Sequence, residues 1–173
     1  MSAGATTGAA TGAATGATTG AEALCLSCGL CCDGSLFWAV ELEPADTVPD
    51  GIEAGGRLPQ PCAFHTAGVC GIYATRPSQC RAFVCGVLQA VLDGTRDRAW
   101  AEIRIEAMRH LLAGLDDALP GEGALYSRAA AYLEDADALP IDDRIRARIA
   151  VYREMIGDFR PLSDAPEPTS KPG

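Results

Sequence analysis

The sequence predicts a mainly α fold, in which an irregular cysteine-rich region with a short β element packs on three or four helices. Two observations carry this expectation. All eight cysteines fall between Cys25 and Cys85, in a stretch rich in Gly and Pro, whereas the chain after residue 90 shows helical spacing of its apolar residues. A third observation bounds the domain. Residues 2–21 are almost entirely Gly, Ala and Thr, and the segment from Pro161 to Gly173 holds four prolines. Neither end can fill a core, so residues 1–21 are expected to be disordered and 161–173 a flexible tail. A single domain over residues 22–160 remains, divided into a cysteine region, 22–90, and helical support, 91–160.

The elements follow in order. Leu36 to Leu42 is the best strand candidate, and Pro44 stops it. Residues 43–61 hold four prolines and three glycines and read as loop. Pro77 suits the first turn of a short helix, which would present Cys80, with Cys85 past its end. A short apolar segment, Val87 to Leu92, precedes a break at Asp93-Gly94-Thr95-Arg96. Trp100, Ile103, Ala107, Met108, Leu111, Leu112, Leu115 and Leu119 recur at helical steps until Pro120-Gly121. Leu125, Ala129, Tyr132 and Leu133 mark a weaker helix. Ile141, Ile145, Ile149, Tyr152, Met155, Ile156 and Phe159 mark a third, with Asp142 and Asp143 offsetting the helix dipole at its start. These apolar stripes are most simply core, although a partner surface would carry the same pattern.

Composition narrows the function. Fourteen Lys and Arg against 23 Asp and Glu give a formal net charge of −9, which opposes binding to nucleic acid and to anionic membranes. No apolar run is long enough to cross a bilayer. No basic residue precedes Arg57 and no apolar core precedes Leu24, so a secretory leader is not expected. A cytoplasmic setting follows, where thiols stay reduced and more often bind metal or do chemistry than form disulfides.

The spacing of the thiols points to metal. Cys25, Cys28 and Cys31 repeat a two-residue gap, so that several thiolates can reach one centre while the backbone turns around it. Gly29 suits that turn because it accepts a positive φ. The triple step resembles the opening of a bacterial iron–sulfur run, but the fourth cysteine followed by proline is missing. Cys32 or a distant cysteine would complete the set. Cys62, Cys70, Cys80 and Cys85 supply four more soft donors, enough for two tetrahedral zinc sites, one shared cluster, or an iron–sulfur cluster beside a zinc. Ile72, Tyr73, Phe83 and Val84 can wall such a centre from water. Arg76 and Arg81 can offset its charge or simply lie in solvent.

The array Cys25-x2-Cys28-Gly29-x-Cys31-Cys32, Pro61-Cys62, Cys70-x-Ile72-Tyr73-x2-Arg76-Pro77-x2-Cys80-Arg81-x-Phe83-x-Cys85 resembles the YkgJ-like cysteine-cluster family. Its members are described as zinc- or iron-chelating proteins and are similar to the cysteine-bearing part of flagellin lysine N-methylases. The resemblance covers about residues 22–90. It implies a metal-ligand role for Cys25, Cys28, Cys31, Cys32, Cys62, Cys70, Cys80 and Cys85, with zinc or an iron–sulfur cluster as the cofactor. Methyl transfer is not carried over, because the chain after residue 90 does not match a methylase. His65 departs from the pattern, since many members have an apolar residue such as leucine there.

Other chemistry is thin. His65 is a candidate ninth ligand or proton donor, or else an exposed loop residue. His110 reads as a helix-surface residue. Glu41, Glu43 and Asp46 read as a solvated acidic loop rather than a general base. No phosphate loop, dinucleotide fingerprint or His-Glu-x-x-His is present. Three readings follow: a metal-binding protein with an eight-cysteine centre, an iron–sulfur-dependent accessory enzyme in protein modification, or a zinc-stabilised module whose helices bind a protein partner.

Overall fold

A computed structural model describes residues 20–47, 55–134 and 142–161. Among them the fold is mainly helical with two small antiparallel strand pairs, as the sequence predicts. The expected disordered segment 1–21 lies outside the described residues except for Gly20 and Ala21. The expected tail lies outside them after Pro161, as do residues 48–54 of the expected loop and Ile141 of the third stripe.

The chain enters through α1 (Gly20–Cys28), which holds both Cys25 and Cys28. Two strands, β1 (Ala39–Glu41) and β2 (Arg57–Pro59), pair antiparallel with Val40 opposite Leu58. A tighter pair follows, β3 (His65–Thr66) and β4 (Val69–Cys70), with His65 opposite Cys70. Then come α2 (Ser78–Ala82), α3 (Gly86–Leu92), α4 (Arg98–Asp116), α5 (Leu125–Glu134) and α6 (Asp143–Phe159). The described residues thus hold six α-helices: α1, α2 and α3 in or at the edge of the cysteine region, and α4, α5 and α6 as the supporting helices expected.

Two local expectations need correction, and one segment the sequence left unassigned proves helical. The strand is shorter than Leu36 to Leu42, since only Ala39–Glu41 finds a partner ladder. That partner, Arg57–Pro59, lies in the stretch read as loop; Pro59 closes a two-strand edge, where a missing N–H is tolerated. The apolar segment before Asp93 is a helix, α3, capped by the Cys85 side chain accepting from the Leu88 amide at 3.4 Å.

The main core joins both halves of the chain. Leu24, Leu30 and Leu36 pack with Val87 and with the inner faces of α4, α5 and α6. On α4 the buried face is Ala101, Ile105, Met108, Leu112 and Leu115. Ile103 is 68 % exposed and Ala107 is exposed, so the true stripe is rotated from the expected one. The stripes on α5 and α6 bury Leu125, Ala129 and Tyr132, and Ile149, Tyr152, Ile156 and Phe159, as expected. A separate small cluster of Val40, Leu42, Leu58 and Cys62 sits under the strand pair.

Close backbone contacts fix the cysteine region onto this core. Gly86 lies against the end of α6: a Cβ there would stand 2.7 Å from the Asp158 carbonyl oxygen and 2.8 Å from that of Arg160. The Gly86 amide donates to Arg160 at 3.0 Å. Gly34, at φ +84°, would place a Cβ 3.0 Å from the Ala124 Cα, and its carbonyl accepts from the Tyr126 amide at 3.0 Å. The Tyr152 hydroxyl donates to the Ser35 carbonyl from inside the core. Because backbone cannot yield as a side chain can, Gly86→Ala is expected to destabilise the protein by about 1–3 kcal/mol, the cost of overpacking. Urea unfolding of the variant and the parent measures this; equal midpoints would mean that the α3–α6 junction is not under such constraint.

Candidate metal centre

A cysteine carries its donor one bond from Cβ, so its reach is set almost entirely by the backbone. In α1, Cys25 and Cys28 are three residues apart and lie on one helix face. Gly29 ends the helix at φ +69°, and its carbonyl accepts from the amides of Cys32 at 2.8 Å and Asp33 at 3.1 Å. That turn carries Cys31 and Cys32. The Cys62 amide donates to the Cys32 carbonyl at 2.8 Å, which ties the second stretch of cysteines to the first. Cys70 comes from β4, Cys80 from the middle of α2, and Cys85 from the cap of α3.

Asp46 holds the helix of Cys80 in place. Its Oδ1 accepts from the Ser78 hydroxyl at 2.6 Å and from the Ser78 amide at 2.8 Å, at the start of α2. These bonds, led by the hydroxyl, hold the Asp46 carboxyl below its ordinary range. The Gln79 Oε1 accepts from the Glu41 amide at 2.6 Å, docking α2 on β1. Glu41 itself pairs with Arg57 at 2.6 Å. Asp46 and Glu41 therefore serve as scaffold for α2 and β1.

All eight cysteines line one cavity of about 660 Å³. Ile72, Tyr73, Phe83 and Val84 line it too, as do Leu88, Ile105 and Phe159 from the core side. Among the described residues, no three His, Cys, Asp or Glu side chains are grouped tightly enough to hold an ion as they stand. The sulfurs thus share a cavity without sharing an ion-sized pocket. Cys31 and Cys32 come closest to ligating geometry, with Sγ atoms 3.8 Å apart. That is the spacing of two ligands on one tetrahedral ion, about 3.8 Å for metal–sulfur bonds of about 2.3 Å. A polynuclear core, or two ions, spans more widely spread thiolates than one ion can, because metal–metal separation adds to the bond lengths. The chemistry of the donor set, eight soft thiols lining one cavity, suits a soft metal ion or cluster.

Compared with family models, curated proteins and solved structures, the chain matches none. The reading of the cavity therefore stands on its own chemistry.

Burial dominates the ionisation of the thiols. It pushes Cys28 from an ordinary 9.0 to about 12, with the Leu30 amide and Arg109 acting against it. It pushes Cys80 likewise to about 12, with the neighbouring Cys32, Cys62 and Cys70 adding to the shift. Cys25, Cys62 and Cys85 are raised for the same first reason. In the adjacent pair, the contact between the two thiols raises Cys31 and lowers Cys32, so Cys32 gives up its proton first.

The two candidate arginines separate. Arg76 lines the cavity, stacks 3.6 Å from the Tyr73 ring centroid, and favours the charged forms of Cys25, Cys32 and Cys80. Arg81 is exposed and donates to the Arg76 carbonyl and, at 3.1 Å, to the Ser78 hydroxyl, away from the sulfurs. A third arginine escaped the sequence reading. Arg109, on α4, donates to the Ser27 carbonyl and, at 2.9 Å, to that of Cys28, closing the C-terminal end of α1. Nothing in its helical spacing singles it out from its charged neighbours.

His65 is neither exposed nor on the cavity wall. Its ring is half-buried, and Nε2 is fully buried without a hydrogen-bond partner. The ring lies over Gly29, where a Cβ would stand 2.8 Å from Nε2. Gly29 is thus required twice, by its φ and by the imidazole above it. His110 is exposed on α4, as expected.

The raised thiols make the metal-free protein alkali-sensitive. In the unfolded chain Cys28 and Cys80 lose their protons near 9.0, whereas in the fold they keep them to about 12. The folded form holds more protons across that window, so its stability is full below pH 9 and falls as pH rises through it. Thermal melts of the reduced, chelator-treated protein across this range are expected to show a steadily falling Tm. A flat profile would remove burial as the force that keeps the thiols protonated.

Proposed function

We propose that this chain is a cytoplasmic metal-binding protein in which Cys25, Cys28, Cys31, Cys32, Cys62, Cys70, Cys80 and Cys85 hold zinc or an iron–sulfur cluster. The observation that carries the reading is that every cysteine of the chain faces one cavity. Free cysteines that served only as small apolar side chains would scatter through a core. Membership of the YkgJ-like family, which the cysteine array resembles, would imply the same ligand set. Among the described residues, no helix is long and apolar enough to cross a membrane.

Zinc would cross-link the irregular segments, and an iron–sulfur cluster would in addition supply one-electron chemistry. The chain's own part is to gather the thiols, to exclude water with Ile72, Phe83 and Val84, and to offset thiolate charge with Arg76 and Arg109. Metal must displace protons from buried thiols, so affinity rises with pH.

A second reading, an iron–sulfur-dependent accessory enzyme in protein modification, is favoured by the size of the cavity. Its apolar side, with Leu88, Ile105 and Phe159, leaves room for more than a cluster. A third, the zinc-stabilised interaction module, draws on the exposed apolar residues Ile103 and Val151 of the supporting helices.

Anaerobic purification with elemental and acid-labile sulfide assay tests the proposal. Metal is expected in the wild-type protein. A colourless sample without sulfide indicates zinc, and a brown one bleached by dithionite indicates iron–sulfur. Cys28→Ser is expected to lose much of that metal and to melt far lower, because structural metal contributes on the order of 10 kcal/mol. A metal-free wild-type protein with a sharp native melt would sink the proposal.

A further inference from the structure

The eight thiols face one cavity but rest on two different foundations. Cys28, Cys31 and Cys85 pack against the main core, with Leu24, Val87 and the helices α4 to α6. Cys62 belongs to the small cluster under the strand pair, and Cys32 and Cys80 pack against that cluster. Cys31 and Cys32 are adjacent in sequence, so the boundary between the two groups runs between neighbouring residues.

The supports of each group agree with its packing. The helix of Cys85 is seated on the end of α6 through Gly86. The helix of Cys80 is seated on β1 through Gln79, and the Cys62 amide is bonded to the Cys32 carbonyl at 2.8 Å. The neighbours of Cys28, Cys62 and Cys80 follow the same division, whereas Cys31 senses Cys32 across it as well as Cys25 and Cys28 on its own side. Cys28 senses Cys85 and Cys25; Cys62 senses Cys32 and Cys70; Cys80 senses Cys32, Cys62 and Cys70. Cys25 stands at the boundary, sensing Cys32 and Cys70, but shares a helix face with Cys28. Arg109 lies beside Cys28, whereas Arg76 lies beside Cys32 and Cys80 and also acts on the boundary thiol, Cys25.

We propose that the centre is two interleaved four-thiol sites, Cys25/Cys28/Cys31/Cys85 and Cys32/Cys62/Cys70/Cys80, each taking its own soft metal ion or cluster. This rests on the metal-binding reading above and divides its ligands. The sites are not the N-terminal and C-terminal quartets that sequence order suggests. The first staples α1 to the start of α3 over the core; the second staples the strand pairs to α2. The 3.8 Å between the sulfurs of Cys31 and Cys32 alone would let them share an ion, and packing on opposite foundations is what separates them.

The test uses the full-length protein, reduced and metal-free, titrated with Cd²⁺. Unprotected thiols are alkylated with N-ethylmaleimide at half saturation and located by fragmentation of intact protein ions. Protection is expected to appear in whole sets, Cys25 with Cys28, Cys31 and Cys85, and Cys32 with Cys62, Cys70 and Cys80. Cys85→Ser and Cys80→Ser are each expected to halve the bound metal. Combining Cys85→Ser with Cys28→Ser should cost no more, and combining it with Cys80→Ser should abolish binding. Joint protection of Cys31 with Cys32, or of all eight thiols as one unit, overturns the division while leaving the metal-binding reading intact. Absence of any bound Cd²⁺ overturns both. The footprint is read on the wild-type chain, so it decides even where a variant does not fold.

Discussion

A thiol is a weak hydrogen-bonding group, and eight of them facing one cavity contribute little cohesion of their own. The cavity must be held open, and its sulfurs held inward, by everything around them. The backbone does much of this. Gly29 turns the chain between Cys28 and Cys31, the Cys32 carbonyl receives the Cys62 amide, and Gly86 sets the cap of α3 on the end of α6. Side chains from the helical half complete it, with Tyr152 reaching the Ser35 carbonyl and Arg109 closing α1. The helices serve as the fixed frame against which a region poor in apolar residues takes shape.

Charge sets the second condition. The chain already carries −9, and eight thiolates would add to it in a half-buried space. Burial answers by keeping most of the thiols protonated, and the cations close at hand are few. An unoccupied set of thiolates is therefore costly, whereas a metal cation cancels the charge and replaces the lost protons. If the thiols take up metal as proposed, the same burial would couple that uptake to the release of their protons.

How much was legible in the sequence follows from the range of each interaction. The helices α4, α5 and α6 announce themselves because apolar spacing is local. Even so, part of the face of α4 was misjudged: Ile103 and Ala107 suggested a stripe that the packing of Ile105 and Ala101 displaces. The strand at Ala39–Glu41 was visible, but its partner Arg57–Pro59 was hidden by prolines and is fixed by pairing between residues well apart in the chain. Asp46 looked like an acidic loop residue, and only its distance from Ser78 reveals a helix cap. Arg109 carried no signal at all, since its target is a carbonyl far away in the chain.

The sequence by itself determined the helical class, the location of every soft donor, and the glycine turn after Cys28. These depend on residue type and on neighbours a few positions away. Only the tertiary structure decided that all eight sulfurs reach one cavity, that Arg76 faces it while Arg81 does not, and that Cys31 and Cys32 rest on different foundations. A side chain that reaches one bond past Cβ goes where its backbone is carried, and the backbone here is carried by contacts between segments far apart in the chain.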